Sequence, residues 1–193
     1  MVSRSTCHLT RNPNTVCFMY PLSPLLPKDF IFDNVLESFK FDNRFKNSKR
    51  CTAYFGTNPY SYSGMVHEPV PIESNCYMYK AYNIICDLFP DVNLNSILVN
   101  YYPSNAAFLP YHSDDEPAIV TDSYIITLSI GDPRNIVFRK IGQHTEIYRL
   151  TLDQSLLLIF SKNSQFSYEH SIPPCVEPGC GKGRISLTFR NII

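Results

Sequence analysis

The apolar positions of this chain follow two different periods. Between residues 28 and 40, Ile31, Phe32, Val35, Leu36 and Phe39 recur at helical spacing. Between residues 74 and 89, Ala81, Ile84, Ile85 and Leu88 do the same, with Ser74 as the expected cap and Pro90 as the stop. R-C-T-A-Y-F-G and P-Y-S-Y-S-G then read as short strands on either side of a turn at residues 56–59. Beyond residue 95 the pattern is all strand. The candidates are S-I-L-V-N-Y-Y, Y-I-I-T-L-S-I-G, N-I-V-F-R-K-I, T-E-I-Y-R-L-T, S-L-L-L-I-F-S and R-I-S-L-T-F-R, with turn residues between them. Residues 1–25, with prolines at 13, 21 and 24, read as irregular. Two helices followed by a run of strands predict an α+β chain with a double sheet or jelly roll as its core.

Composition refines this picture. At 193 residues the chain is long enough for one domain with a real core. No repeat, low-complexity tract or linker divides it. Seven glycines against fifteen prolines suit short strands joined by rigid turns. Formal net charge is zero but unevenly placed: residues 1–60 carry 8 − 4 = +4, and residues 61–193 carry 9 − 13 = −4. Arg44, Lys46, Lys49 and Arg50 cluster near Phe45 and Tyr54, which is the composition of a nucleic-acid edge and equally that of scattered surface charge. Seven cysteines and no clean apolar leader predict reduced thiols in an intracellular protein. Cys175 and Cys180, at C-x4-C spacing, could pair or bind zinc. No apolar run reaches membrane-spanning length.

The candidate chemistry starts at Y-H-S-D-D-E-P, where one imidazole and three carboxylates fall within five residues. In extended backbone, residues i and i+2 point the same way, so His112 and Asp114 can reach one point. A His-x-Asp pair supplies two ligands of a 2-His-1-carboxylate triad, which leaves open positions on Fe(II). The third ligand must be a distant histidine. His170, in Y-E-H-S-I-P-P, is better placed for it than His8, His67 or His144. A solvated acidic loop with an ordinary histidine is the alternative. R-I-S-L-T-F-R adds a second signal, because Arg184, Ser186, Thr188 and Arg190 alternate with Ile185, Leu187 and Phe189. Two guanidiniums on one strand face call for an anion between them, unless the strand is a solvent-facing edge. A dicarboxylate that chelates iron at one end and needs a salt bridge at the other explains both clusters, and 2-oxoglutarate is such a molecule.

Taken in order, these pieces resemble the AlkB family of Fe(II)/2-oxoglutarate-dependent oxygenases, above all its nucleic-acid-demethylating members. The resemblance runs over roughly residues 45–193. K-R-C-T-A-Y-F-G-T-N-P-Y-S-Y-S-G is similar to the nucleotide-recognition hairpin, and L-V-N-Y-Y to the Asn-x-Tyr strand. H-S-D-D-E-P resembles the metal segment, and I-I-T-L-S-I-G-D-P-R the strand behind it. Y-E-H-S-I-P-P resembles the distal-histidine segment and R-I-S-L-T-F-R the C-terminal arginine pair.

The resemblance implies a single domain over residues 1–193: an extension at 1–45, a substrate-recognition hairpin at 46–73 and a core at 95–193. Its fold would be a double-stranded β-helix (jelly roll) flanked by N-terminal helices. His112, Asp114 and His170 would hold iron. Arg184, helped by Tyr102 and Ser186, would grip the distal carboxylate of 2-oxoglutarate, while Arg190 and Asn100 would contact its chelating end. Glu116 would approach the target base, and Tyr60, Tyr62 and Ser63 would belong to a substrate lid. The implied reaction is oxidative demethylation of bases such as 1-methyladenine or 3-methylcytosine in DNA or RNA. It consumes O2 and 2-oxoglutarate and releases formaldehyde, succinate and CO2. A monomer with no membrane partner is expected. Three features depart from the family: there is no tryptophan, residues 1–40 match nothing recognisable, and net charge is not basic. They leave room for a same-fold oxygenase of proteins, lipids or small molecules, or for an inactive binding module.

Overall fold

Arg184–Arg190 forms a strand, β13, in which every residue is buried. The computed structural model that shows this describes residues 16–62, 64–161, 164–175 and 181–193. The elements before β13 are β1 (Cys17–Pro21), α1 (Phe32–Glu37), β2 (Asp42–Phe45), β3 (Arg50–Gly56), β4 (Tyr60–Tyr62), β5 (Met65–His67) and α2 (Cys76–Leu88). They continue with β6 (Ser96–Tyr102), β7 (Leu109–His112), β8 (Ile125–Gly131), β9 (Arg134–Lys140), β10 (Tyr148–Leu152), β11 (Leu156–Phe160) and β12 (Tyr168–Ile172).

A larger sheet runs β1-β11-β8-β13-β6-β3-β2, and a smaller one runs β10-β9-β12-β7. β13 is thus the central strand of the larger sheet, not an edge. Its alternation now has a physical meaning. Ile185, Leu187 and Phe189 pack in one cluster with Val35 of α1 and Met78, Ala81, Ile85 and Leu88 of α2. A second cluster, with Ile125, Leu158 and Phe160 from the large sheet and Ile136, Phe138 and Ile172 from the small one, fills the space between the sheets. The polar face of β13 looks into that space, where side chains must find partners or a ligand.

The strands expected beyond residue 95 all form, and β6 and β13 keep their expected limits. Four differences stand out. The first helix shrinks to six residues, because the Ser38 hydroxyl donates to the Val35 carbonyl and the Ser38 carbonyl accepts from the Asn75 amide. Asn75, not Ser74, caps α2: its Oδ1 accepts from the N–H groups of Tyr77 and Met78. Ser74 instead donates to the Pro71 carbonyl. β1 forms in a stretch expected to be irregular, as an edge strand with Pro21 at its end. β3 pairs with β2 and β6, so the hairpin that turns back on itself is β4–β5.

Cys17, Cys76 and Cys86 are free thiols, as expected. Cys175 is disulfide-bonded, which corrects the all-reduced reading at that position. Cys180 and Ser63 lie outside the described residues, as do residues 1–15 of the expected extension. No helix among the described residues is long and apolar enough to cross a membrane.

Candidate active site

β7 and β12 lie side by side in the small sheet, and their register sets His112 directly opposite His170. The two imidazole centroids are 4.2 Å apart. Asp114 lies two residues past the end of β7, and its Oδ1 is 3.6 Å from His112 Nε2. One ligand atom from each of His112, Asp114 and His170 falls within 4.8 Å of the other two. His112 Nδ1 donates to the Pro110 carbonyl at 2.9 Å, which fixes the tautomer and leaves Nε2 with a lone pair for a metal.

The electrostatics suit a cation. Burial raises the pKa of Asp114, but the guanidinium of Arg190 and the two imidazoles outweigh it and hold the carboxyl well below its usual range. Arg190 Nη2 donates to Asp114 Oδ1 at 2.8 Å. Burial and the neighbouring His112 push His170 down to about 3, so its ring is neutral and available as a ligand.

A narrow cavity of about 40 Å³ runs between the sheets from this triad to Arg184. Asn100, Tyr102, Ser186 and Arg190 also line it. Cross-strand register puts Arg184 beside Tyr102 and Ser186 beside Asn100. Arg184 is 1% exposed, and burial pushes its pKa down to about 10. Its Nη2 donates to the Ser129 hydroxyl at 2.9 Å. Its Nε and Nη1, together with Asn100 Oδ1, have no hydrogen-bond partner among the described residues. A buried guanidinium with spare donors is costly unless an anion completes it. The donor set therefore fits a group with a carboxylate at the Arg184 end and oxygen ligands at the triad end. A two-histidine, one-carboxylate triad with open positions fits Fe(II).

A family model for the 2OG-Fe(II) oxygenase superfamily matches residues 37–190. The chain belongs to that superfamily. His112, Asp114 and His170 form a metal-binding triad that matches the Fe(II) and 2-oxoglutarate in the name of that superfamily. Within the superfamily it is AlkB-like. The alpha-ketoglutarate-dependent dioxygenase alkB homolog 3 of Mus musculus is 30% identical over 153 residues, covering 74% of this chain and 51% of that protein. DNA oxidative demethylase ALKBH2 of Mus musculus is 26% identical over 141 residues, covering 69% and 57%. The chain spans about half the length of these curated relatives. The solved structure of OsALKBH1 matches with a TM-score of 0.50 at 17% identity, over 73% of this chain and 78% of that one, and supports the jelly-roll fold.

The chain has a second, wider cleft of about 520 Å³ that reaches His112 from outside. Phe45, Arg50, Tyr62, Met65 and Glu116 line it. Tyr62 lines both spaces and so stands where they meet. The other lid tyrosine is placed differently. Tyr60 is fully buried in the middle of a stack, with Tyr54 at 5.6 Å and Tyr62 at 6.1 Å between centroids. The Arg190 guanidinium lies 5.4 Å from its ring. Tyr60 therefore braces the site from behind. Glu116 is half-buried, and burial raises its pKa despite the nearby Arg190. Asp115 is exposed.

The sequence pattern places Arg50 in a basic cluster that suits a nucleic-acid edge or scattered surface charge, and the structure buries it in the cleft wall. It is 3% exposed, with its guanidinium 4.6 Å from the Phe45 ring centroid and 5.5 Å from that of Tyr62. Nη2 donates to the Tyr62 hydroxyl at 3.1 Å, while Nε and Nη1 have no partner among the described residues. The signal in the sequence is its place at the head of a strand, five residues after Phe45. Lys46, by contrast, is exposed at the cleft rim.

Proposed function

We propose that this chain is an oxidative demethylase of N-alkylated bases, of the 1-methyladenine or 3-methylcytosine type, in DNA or RNA. The observation that carries the proposal is the wide cleft. An aromatic–cationic wall of Phe45, Arg50 and Tyr62 leads to His112 at the metal triad, with Glu116 beside it. A relative named as a DNA oxidative demethylase adds support.

When bound, Fe(II) with 2-oxoglutarate and O2 supplies the oxidation of the N-methyl group, which leaves as formaldehyde while succinate and CO2 form. The chain's own residues bind and orient. Arg184 pairs with the distal carboxylate of 2-oxoglutarate, and Tyr102 and Ser186 close around it. Asn100 and Arg190 stand at the chelating end, and Arg190 also holds Asp114 ionised for the metal. Tyr62 offers its ring to the target base, and Glu116 accepts from an exocyclic amine. A base this deep must be flipped out of a duplex or arrive in a single strand. Stacking gains about 1–3 kcal/mol per base without reading sequence. The enzyme works as a monomer inside the cell, where its polymer substrate is found.

The test is direct. Protein loaded with Fe(II) and 2-oxoglutarate is given air and short oligonucleotides carrying either methylated base in single-stranded DNA, duplex DNA or RNA. Mass spectrometry is expected to show loss of one methyl group. Succinate formation with every oligonucleotide unchanged would overturn the proposed substrate.

A further inference from the structure

Asp114 raises a backbone problem. β7 ends at His112, so the N–H of Asp114 lies past the last strand pairing. Asp114 itself is 4% exposed, and an orphaned N–H there would be costly. Its partner comes from far along the chain. Gln165 Oε1 accepts the Asp114 N–H at 2.8 Å, and Gln165 is itself buried.

The amide is held in that orientation. A backbone N–H can only donate, so the oxygen of Gln165 must face it. Gln165 Nε2 donates to the Ser164 hydroxyl at 3.3 Å, and that hydroxyl donates to the Ser161 carbonyl at 2.8 Å. The neighbouring residue is tied down close by: Ser113 Oγ donates to the Tyr168 carbonyl at 3.1 Å. Tyr168 begins β12, which delivers His170. Gln165, ahead of β12, and Tyr168, at its head, thus hold the segment bearing the metal carboxylate at two points, next to the strand bearing a metal histidine.

We propose that Gln165 is the positioning residue of the metal centre: its side-chain oxygen stands in for a missing strand partner and fixes the backbone from which Asp114 reaches the metal. This rests on the metal reading of His112, Asp114 and His170. Removing an outer partner of a metal ligand typically weakens metal affinity about 10- to 100-fold.

The experiment is a Co(II) titration of the metal-free protein, followed by visible absorption. Wild type, Asp114→Ala, Gln165→Met, Gln165→Asn and Gln165→Glu are compared, with thermal unfolding as the folding control. Wild type is expected to bind and Asp114→Ala to fail. Gln165→Met, which keeps the length but loses the acceptor, is expected to bind about 10- to 100-fold more weakly, with a shifted absorption band. Gln165→Glu, which keeps an acceptor oxygen, restores most of the affinity. If Gln165→Met does not fold, Gln165→Asn carries the test: its amide oxygen is one methylene too short to reach the Asp114 N–H, and a weakening of about 10- to 100-fold is expected. Wild-type affinity in Gln165→Met, or a loss in Gln165→Glu equal to that in Gln165→Met, would overturn the role of Gln165. Wild-type affinity in Gln165→Asn, when it carries the test, would overturn it too. Absence of Co(II) binding by wild type would overturn the metal reading itself.

Discussion

Arg190 donates to Asp114 across 2.8 Å, with both side chains sealed from solvent. Breaking such a pair from one side leaves a buried charge uncompensated, at a cost of about 3–5 kcal/mol. Arg190→Met is therefore expected to destabilise the metal-free protein by about that amount in urea unfolding. Mn(II) should recover part of the loss, because the ion replaces the missing positive charge beside Asp114. Equal destabilisation with and without Mn(II) would contradict the assignment of Asp114 to the metal.

Arg184 makes the opposite prediction. Its guanidinium is buried with only one of three nitrogens bonded among the described residues. Removing it relieves a desolvated cation. Metal-free Arg184→Met should be at least as stable as wild type, yet bind 2-oxoglutarate more weakly by about 2–5 kcal/mol, at least 30-fold. Calorimetric titration of the Mn(II)-loaded protein measures the second quantity. Unchanged affinity would remove Arg184 from the cosubstrate site.

The wide cleft is tested at Arg50. Replacing it with Met keeps much of the bulk between Phe45 and Tyr62 but loses the charge. The expected outcome is a KM for methylated oligonucleotide raised about tenfold, roughly 1.4 kcal/mol, with Mn(II) affinity unchanged. A KM equal to wild type would show that the cleft wall does not meet the substrate.

The helix-facing side of β13 supplies a stability test free of the site chemistry. Leu187 is fully buried between the large sheet and the helices. Leu187→Ala should cost about 2–5 kcal/mol in urea unfolding. A loss under 1 kcal/mol would mean that the side chain does not pack as described.

β13 is legible in the amino-acid sequence through its strict alternation, and the alternation separates the helix-packed face from the cavity. The strands of the metal ligands are harder to see. β7 and β12 have four and five residues, and polar functional groups interrupt their apolar pattern. The facing register of His112 and His170 is a long-range pairing that no local period encodes. The burial of Arg50 and the role of Gln165 escape for a related reason. Each depends on a partner beyond its own strand or turn, Tyr62 for one and Asp114 for the other. Tyr60 shows the limit from the other side, since its hairpin position is readable and its burial behind Tyr62 is not.

The triad and Arg184 line one cavity, and we propose that they form one centre that would hold Fe(II) and 2-oxoglutarate together. Anaerobic titration of 2-oxoglutarate into Fe(II)-loaded protein, followed by visible charge-transfer absorption, tests it most directly. A saturable band in wild type, absent in folded Asp114→Ala, is the predicted result. A band of the same strength in Asp114→Ala, or none in wild type with iron bound, would contradict the account.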